Sequence, residues 1–376
     1  MKIGIEAQRI FRKNKHGMDY VVLQEIIELQ KMDHHNEYFV FVAPGPDVCV
    51  SDSPNMHVIE VGGNFYPLWE QWSLPRAARE MGVELLHCTS NTAPIFCNIP
   101  LILTLHDIIF LEPRDKSNRS LYQNMGWFYR RLVVPRILKK CRRIITVSDF
   151  EKNNIIDKLN LSERVVRRIY NGYNEWFHHT EDPDSVFAKY ISEKGYLFFL
   201  GNTDPKKNTE RTLIAYSRYL ERSNVKRRLL MADLDRQYLD DIISRNHIEN
   251  IRQYIEMPGY IVNTDLPYVY SGAFAFLYTS LRESFGIPLL EAMACGTPVI
   301  TSNTSSMPEI AGSDAILVNP QEADNICEQI LRLENEEDFY QKQVEIGLQR
   351  AKLFSWKSTA EQLLDLYETV YKETKY

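Results

Sequence analysis

Short apolar runs rich in β-branched and aromatic residues alternate with helix-patterned segments along the whole chain, and this alternation constrains the fold most. In segments 20–30 and 209–220, for example, apolar residues recur at the spacing of one helix face. Strands that alternate with helices form parallel sheets with right-handed crossovers. The sequence therefore predicts an α/β protein built from doubly wound sheets.

Strands are predicted in both halves of the chain, and the pattern restarts at Tyr196 after a polar stretch, 178–185, which we interpret as a linker. The predicted strands are 2–7, 38–42, 57–61, 85–88, 101–105, 143–147, 165–170, 196–200, 228–232, 254–256, 274–278, 298–302 and 315–318. A chain of 376 residues has the length of about two domains. We place them at residues 1–177 and 178–355.

Composition excludes several classes of protein. The net charge of −6 argues against general nucleic-acid binding, and no run approaches the roughly 18–20 apolar residues of a transmembrane helix. The N-terminus predicts a first strand rather than a signal peptide. The six cysteines form no Cys-x-x-Cys pair, which favours reduced thiols over disulfides or zinc. We therefore expect a cytoplasmic protein, in which the sequons at Asn118, Asn160 and Asn303 have no meaning.

The segment 283–300 carries two carboxylates, Glu283 and Glu291, on either side of a Phe-Gly-x-Pro turn. We place Glu283 at the end of a strand and Glu291 inside a helix that opens by Leu289 and has Gly296 as its C-cap. A strand, a glycine-containing turn and a helix N-terminus direct backbone N–H groups at an anion, most often a phosphate. Carboxylates beside a phosphate need another target, and sugar hydroxyls suit them. The segment predicts a nucleotide-sugar site; the alternative is two surface carboxylates in salt bridges.

With its flanking residues, this segment resembles the signature of retaining glycosyltransferases of the GT-B class, family four (glycosyl transferases group 1), and the chain looks like the bacterial polysaccharide mannosyltransferases among them. Further matches lie along nearly the whole chain. They are the runs Thr-Leu-His-Asp at 104–107, Val-Ser-Asp-Phe at 147–150, Ile-Tyr-Asn-Gly at 169–172, Gly-Asn-Thr-Asp-Pro-Lys-Lys-Asn at 201–208, Ser-Met-Pro-Glu-Ile at 306–310 and Phe-Ser-Trp at 354–356.

The resemblance implies two Rossmann-like domains that face a central cleft. The C-terminal domain would bind the nucleotide sugar and the N-terminal domain would present the acceptor. It also implies that a final helix, 356–376, returns to the N-terminal domain. An apolar stripe in that segment, preceded by Ser355 as N-cap, fits a helix with a surface to cover.

The resemblance also assigns roles at the donor site. Glu291 would bind the ribose hydroxyls and Glu283 the donor sugar, while backbone amides of the turn would contact sugar or phosphate. The turn residues concerned are Ser284, Phe285, Gly286 and Ile287. Contacts to the base would come largely from backbone near Gly259 and Tyr260, so the sequence does not reveal which base is bound.

Lys206 and Lys207 follow a predicted strand and precede a helix that Asn208 or Thr209 would cap. A fixed cation in this place stabilises a departing diphosphate; the alternative is a solvated loop lysine. Many family members have an arginine where this chain has Asn202, so the diphosphate would depend more heavily on Lys207.

His106 directly follows the predicted strand 101–105, at the carboxyl end where open α/β sheets bind ligands. The resemblance implies a hydrogen bond from His106 to the transferred sugar near its 6-position; a structural histidine is the alternative. We expect Asp107 to cap the following segment. Gly17, similar to one glycine of a family Gly-x-Gly loop, is a candidate contact of the donor phosphate or the acceptor, with Asp19 as N-cap of the first helix.

Asp233 and Asp235 form an Asp-x-Asp run, which marks the metal site of the other main glycosyltransferase fold. Here we expect solvated side chains, with Asp235 capping the next helix. The histidine pairs at 34–35 and 178–179 lack metal-ligand spacing. We predict neither a metal nor a cofactor.

These features predict a retaining hexosyltransferase in bacterial surface polysaccharide synthesis, with His106, Lys207 and Glu283 as catalytic residues. Mannose from GDP-mannose is our preferred donor, and a glycan or lipid-diphosphate-linked glycan the acceptor. Same-face attack is favoured because no residue is an obvious buried nucleophile. The alternatives are a UDP-sugar-dependent transferase of the same fold, a nucleotide-sugar epimerase and a two-lobed sugar-binding protein.

The segment 126–143 holds seven cations and no acid, with aromatic and aliphatic residues between them. A basic amphipathic element of this kind can lie on anionic lipid. It predicts a peripheral contact with the inner face of the membrane. The alternative is a solvated helix pair broken at Pro135.

Overall fold

The computed structural model describes residues 1–63, 65–112, 121–181 and 184–375, without the side chains of residues 121–123, 184 and 185. The sequon at Asn118 and two residues of the predicted linker lie outside these ranges. The chain forms two compact units, Met1–Asn171 with Trp356–Tyr376, and Gly172–Ser355. The division thus falls after residue 171, whereas the sequence placed it after residue 177.

The first unit contains a seven-stranded parallel sheet. Its strands are β1 (Lys2–Glu6), β2 (Glu37–Val42), β3 (Met56–Glu60), β4 (Leu85–Cys88), β5 (Leu101–Thr104), β6 (Cys141–Thr146) and β7 (Val166–Arg168). They lie in the order β3-β2-β1-β4-β5-β6-β7, so the direction of winding reverses between β1 and β4.

The second unit contains a six-stranded parallel sheet. Its strands are β8 (Tyr196–Leu200), β9 (Leu229–Ala232), β10 (Ile255–Glu256), β11 (Ala273–Tyr278), β12 (Val299–Ser302) and β13 (Ile316–Val318). Their order is β10-β9-β8-β11-β12-β13, and the winding reverses between β8 and β11.

Helices connect the strands within both units. They are α1 (Gly17–Met32), α2 (Tyr66–Leu68), α3 (Leu74–Glu80), α4 (Leu121–Ile137), α5 (Asp149–Leu159), α6 (Asp184–Phe187), α7 (Thr209–Arg222), α8 (Arg236–Asn246), α9 (Leu266–Gly272), α10 (Ile287–Ala294), α11 (Met307–Ala311), α12 (Ala323–Asn335), α13 (Glu337–Ala351) and α14 (Trp356–Lys375). A π-helical turn, Trp69–Ser73, joins α2 to α3. Within the described residues, no helix combines the length and the apolar character needed to cross a membrane.

The final helix, α14, packs on the first unit, which confirms the prediction. Leu363 and Val370 are fully buried in the core beside β1 and α1. The hydroxyl of Tyr367 lies 2.7 Å from Nδ1 of His87, and Nε2 of His87 lies 2.7 Å from the hydroxyl of Thr104. Burial lowers the pKa of His87 to about 3, so a neutral ring joins the helix to β4 and β5 at neutral pH.

The predicted strands all form, with ends that differ by at most two residues. Long runs of β-branched and aromatic residues are typical of parallel strands buried on both faces, which explains this agreement. Helix α10 begins two residues earlier than expected, and its C-cap is Cys295; Gly296 follows with φ +76°.

The predicted N-cap of the first helix was wrong. Helix α1 begins at Gly17 with His16 as N-cap, and Asp19 is its third residue, whose carboxylate accepts a hydrogen bond from His16 N at 3.0 Å. The helix pair broken at Pro135, which was the alternative for segment 126–143, does not form: α4 continues through Pro135 to Ile137.

Candidate active site

The second sheet brings together the two loops that carry the predicted donor site. Lys207 follows β8 and Glu283 follows β11, and these strands are neighbours where the winding reverses. Open α/β sheets bind ligands at such a point, outside the carboxyl ends of the strands. The two loops are joined by a hydrogen bond of 2.7 Å from Leu281 N to the carbonyl oxygen of Lys206.

Lys207 and Glu283 form an ion pair, with 2.5 Å between Nζ and Oε1. Their side chains are 27% and 12% exposed, so the pair is partly accessible to a ligand. Glu283 lies five residues beyond the end of β11, not at the strand end as predicted. Nζ of Lys207 lies over the Tyr278 ring, 5.7 Å from its centroid, and burial together with the nearby charge of Glu283 raises the pKa of Tyr278.

Two serines that follow β12 hold the backbone of Glu283. Glu283 N donates to the hydroxyl of Ser305 at 3.1 Å, and the hydroxyl of Ser306 donates to the carbonyl oxygen of Glu283 at 2.9 Å. The sequence included Ser306 in a family run but gave no reason to select Ser305 or Tyr278. Ser305 has φ +54°, which a sequence does not reveal for a serine.

The turn before α10 requires glycine at position 286. Gly286 has φ +99°, and a Cβ there would lie 2.8 Å from Cε of Met307. Phe285 is buried against the edge of the Phe354 ring, with 5.9 Å between centroids, and Ile287 begins the helix. The first N–H groups of a helix lack intrahelical partners and carry partial positive charge, so this turn suits an anion.

Glu291 is the fifth residue of α10 and is partly buried. Burial raises the pKa of its carboxyl to about 8. The hydroxyl of Tyr270 interacts with this carboxyl and partly offsets the effect of burial on its pKa. That contact falls outside strict hydrogen-bond geometry, and the buried hydroxyl has no other partner within the described ranges. The sequence gave no signal for Tyr270, which reads as a core aromatic residue of α9.

The loop after β8 starts with a close approach of backbones. A Cβ on Gly201 would lie 2.7 Å from Cβ of Leu234, so only glycine fits. The exposed Asn202 accepts a hydrogen bond from Asp204 N at 2.8 Å through Oδ1. Nζ of Lys206 lies 3.5 Å from the Asp204 carboxylate, so Lys207 is the lysine of this loop that meets Glu283.

Asn208 occupies the N-cap position of α7, but its side chain does not cap the helix as predicted. It has φ +60°, and its Nδ2 donates to the carbonyl oxygens of Thr279 and Pro320 at 3.0 and 2.7 Å. The asparagine therefore ties the loop after β8 to the end of β11, which places Lys207 beside Glu283.

The region predicted to contact the base lies after β10. Gly259 has φ +83° and Tyr260 is exposed, and the carbonyl oxygen of Gly259 accepts a hydrogen bond of 3.2 Å from Asp233 N. Asp235 accepts from Tyr238 N at 2.9 Å and caps α8, as predicted. Across the ranges that the structure covers, no three His, Cys, Asp or Glu side chains are grouped so that they could hold a metal ion.

In the first unit, His106 is buried just beyond β5. Its N donates to Oδ1 of Asn91 at 2.7 Å, and Nε2 lies 3.0 Å from the carbonyl oxygen of Thr89. A carbonyl oxygen only accepts, so Nε2 carries the proton and Nδ1 is the acceptor of the neutral ring. Burial lowers the pKa of His106, which keeps the ring neutral. Asp107 accepts a hydrogen bond from Ile109 N at 3.0 Å, but the N-cap of the 3-10 turn that follows is Ile108 and not Asp107 as predicted.

Around His106 lies a buried network that the sequence did not reveal. The hydroxyl of Thr89 donates to the carbonyl oxygen of Glu6 at 2.6 Å, and Gln8 N donates to the Glu6 carboxylate at 3.1 Å. Glu6 is the last residue of β1, Gln8 lies just beyond it and Thr89 follows β4, at the point where the first sheet reverses. Gly17, by contrast, is exposed, and a Cβ on it would meet no atom within 4 Å.

Comparison with known proteins identifies the family. Residues 16–176 match the model of Glycosyltransferase Family 4, and residues 183–350 match that of Glycosyl transferases group 1. An O-antigen chain mannosyltransferase B from Escherichia coli is 31% identical over 279 residues, which cover 71% of this chain and 70% of the relative. The chain belongs to the glycosyltransferase family that these two models describe, glycosyltransferase family 4 with its group 1 domain.

Other relatives and solved structures agree. The serotype-specific mannosyltransferase WbdA of Escherichia coli is 25% identical over 291 residues, 73% of this chain, and the match spans about a third (34%) of that longer protein. Sucrose-phosphate synthase from Thermosynechococcus elongatus superposes with a TM-score of 0.78 at 20% identity, covering 99% of both chains. At that identity the likeness concerns the fold alone, and the glycosyltransferase has the GT-B fold.

Proposed function

We propose that this glycosyltransferase is a retaining hexosyltransferase that moves mannose from GDP-mannose to a glycan or lipid-linked glycan acceptor. The observation that carries the proposal is the Lys207–Glu283 pair where the second sheet reverses. A nucleotide sugar joins an anionic diphosphate directly to a polyhydroxyl ring. A cation and a carboxylate side by side match these two adjoining parts.

Each residue of the site has a separate role in this proposal. Lys207 stabilises the charge that develops on the departing diphosphate, and Glu283 accepts hydrogen bonds from hydroxyls of the sugar. Glu291 accepts from the ribose hydroxyls, and the turn at Gly286 provides backbone N–H groups. His106 accepts a hydroxyl of the transferred sugar at Nδ1, the ring nitrogen not engaged by Thr89.

Retention in this proposal does not proceed through an enzyme-bound sugar. The carboxylate of Glu283 is already hydrogen-bonded to the ammonium group of Lys207, which spreads its negative charge and weakens it as a nucleophile. The acceptor oxygen instead attacks the anomeric carbon on the face from which the diphosphate departs. The bond from carbon to phosphate oxygen breaks, the bond to the acceptor oxygen forms, and the departing phosphate takes the acceptor proton.

Mannose is proposed because the relatives with printed activities include O-antigen mannosyltransferases, and the same names support a role in surface polysaccharide synthesis. A cytoplasmic location is proposed with it, and the six free cysteines support that location.

A donor screen by thermal shift tests the proposal. A ligand at a hundred times its Kd raises the free energy of unfolding by about 2.7 kcal/mol, and we expect this from GDP-mannose and not from UDP-glucose. Selective stabilisation by a UDP-sugar would show that the donor is that UDP-sugar and not GDP-mannose. The anomeric configuration of the product, read by NMR, tests retention, and conversion of the nucleotide sugar without an acceptor would indicate an epimerase.

A further inference from the structure

A second surface of the first unit has features of a binding site, and it lies on the segment between β3 and α3. Three large apolar side chains are exposed there: Phe65, Leu68 and Trp72, the last of them 73% exposed. With Gly63 and Trp69 they line a groove of about 300 Å³. The groove lies on the π-helical turn, an element that is rare and is often found at functional sites.

Buried hydrogen bonds fix the turn that carries these exposed side chains. The buried carboxylate of Glu70 accepts hydrogen bonds from the hydroxyls of Tyr66, Tyr129 and Thr92, the first at 2.7 Å. On the same turn, Trp69 donates from Nε1 to the carbonyl oxygen of Val61 at 2.9 Å. These hydrogen bonds hold the backbone of the turn in place, so the exposed apolar side chains are part of an ordered surface.

Helix α4 extends this surface. Tyr129 reaches the π-helical turn, where its hydroxyl lies 2.8 Å from Nε2 of Gln71. Met125 and Leu132 are four positions before and three positions after Tyr129, so they lie on either side of it on the helix surface. Both are exposed, as is Phe128, one turn before Leu132. The apolar side chains of α4 thus continue those of the turn.

Exposed cations lie on the same helix as part of the apolar surface. Arg131, Arg136 and Lys139 are exposed on or just after α4. They belong to the segment 126–143, which has seven cations and no acid, in a chain whose net charge is −6. Positive charge concentrated beside exposed apolar side chains is complementary to a surface that is apolar inside and anionic outside.

We propose that residues 65–73 and the outer face of α4 form one docking surface for an anionic lipid bilayer. Tryptophan, phenylalanine and leucine side chains enter the headgroup boundary, and the cations contact anionic headgroups. The structure enlarges the surface that the sequence placed at 126–143 alone. The groove is lined almost wholly by apolar atoms, which favours lipid over a glycan, since a glycan site needs polar groups beside its aromatic rings.

The test of the apolar part uses two leucines that are equally exposed. Leu68 and Leu353 are both 65% exposed, the first on the proposed surface and the second in the other unit. With vesicles of phosphatidylcholine and phosphatidylglycerol, L68S should weaken partition about tenfold and L353S should not change it. Vesicles with brominated acyl chains should quench the emission of Trp72, and W72F should remove that quenching.

The test of charge compares two triple variants with the same change in net charge. R131Q/R136Q/K139Q should reduce partition by roughly a hundredfold at low salt, because each cation near an anionic membrane surface contributes about a fivefold increase in partition. K226Q/K342Q/K352Q removes three exposed cations of the second unit and should have little effect. Arg130 and Lys140 are kept, because Arg130 acts on the pKa of His106 and Lys140 Nζ donates to the carbonyl oxygen of Ile95 at 2.5 Å.

Melting temperatures of all variants confirm that they are folded. Binding to phosphatidylcholine vesicles alone should be weak, and the measurement does not depend on glycosyl transfer. Wild-type protein that stays unbound to anionic vesicles at low salt would overturn the proposal. Equal losses for L68S and L353S, or for the two triple variants, would also overturn it.

Discussion

The two sheets reverse their winding in the same way, but the residues at the two reversal points differ in kind. In the first sheet, Glu6, Thr89 and His106 are buried and hydrogen bond to one another or to nearby backbone. In the second, Lys207 and Glu283 are opposite charges that remain partly exposed. The first arrangement suits neutral hydroxyl groups, and the second suits a ligand with an anion next to a polyol.

The comparison predicts that charge at the second reversal point carries the largest functional effect. Lys207→Ala should reduce kcat by roughly 30- to 1,000-fold, or ~2–4 kcal/mol, because a preorganised cation at the leaving group is lost. Lys206→Ala should cost less than tenfold, since that lysine lies by Asp204. Steady-state transfer assays measure both. Equal losses of kcat for the two variants would contradict the proposal that Lys207 in particular stabilises the departing diphosphate.

The two carboxylates should separate binding from turnover. Above pH 8, where the Glu291 carboxyl is mostly charged, Glu291→Ala should weaken binding of the nucleotide sugar by roughly 10- to 100-fold, because hydrogen bonds between the ribose and a charged group are lost. Glu283→Gln should mainly lower kcat, because its partner is the sugar being transferred. Calorimetry gives the affinities and transfer assays give the rates. Wild-type affinity and rate in both variants would refute the site.

Much of this second site could be predicted from the sequence, because it depends on residue types that local rules restrict. Gly286 and Gly201 are positions where only glycine fits, and Glu283 and Glu291 lie in a long family pattern. The parts that were missed depend on tertiary contacts. Tyr278 reads as a strand residue, and only the fold shows that it lies beside Lys207 and near the charge of Glu283.

The first site was less predictable for the same reason. His106 was selected from its position after a strand, but Glu6 and Thr89 become partners only through the pairing of β1 with β4. Asp19 shows the limit of local rules. A short acidic residue suits the N-cap of a helix and also its third position, and the extended backbone of His16 makes His16 the N-cap and Asp19 the third residue.

The raised pKa of Glu291 predicts pH dependence at the second site alone. A pKa of about 8 means that the carboxyl is mostly protonated at pH 7. If ribose hydroxyls bind the carboxylate, affinity for the nucleotide sugar should rise by up to tenfold per pH unit between pH 6 and 8 and then level off. Glu291→Gln should show no such rise. An unchanged affinity of the wild type across this range would contradict the assignment.

A measurement of folding stability against pH cannot replace the measurement of binding, because it would not distinguish Glu291 from a second buried carboxyl. Glu25, buried in α1, also has a pKa raised to about 8 by burial. A carboxyl raised in this way binds more protons in the folded than in the unfolded state between pH 4.5 and about 8, so both residues lower stability as pH rises through that window. Binding isolates Glu291 because Glu25 lies in the other unit.

At the first reversal point we expect a smaller effect. His106→Gln should reduce kcat by about 3- to 10-fold, the value of one neutral hydrogen bond, without changing nucleotide affinity. The rate should show no inflection between pH 7 and 8 from this residue, since burial lowers its pKa below the ordinary value and the ring is neutral there. A loss of nucleotide affinity in this variant would show that the two sites are not distinct in the way described.

The smallest expected effect is that of chelation. Asp235 is engaged in capping α8, and Asp233 is exposed, with a backbone N that donates to Gly259. Neither is arranged as a ligand with other acidic or histidine side chains of the described residues. If Lys207 supplies the cation for the diphosphate, EDTA should leave the transfer rate within about twofold of its untreated value. A strict requirement for manganese or magnesium would transfer that role to a metal and make Asp233 and Asp235 the first candidates for its ligands.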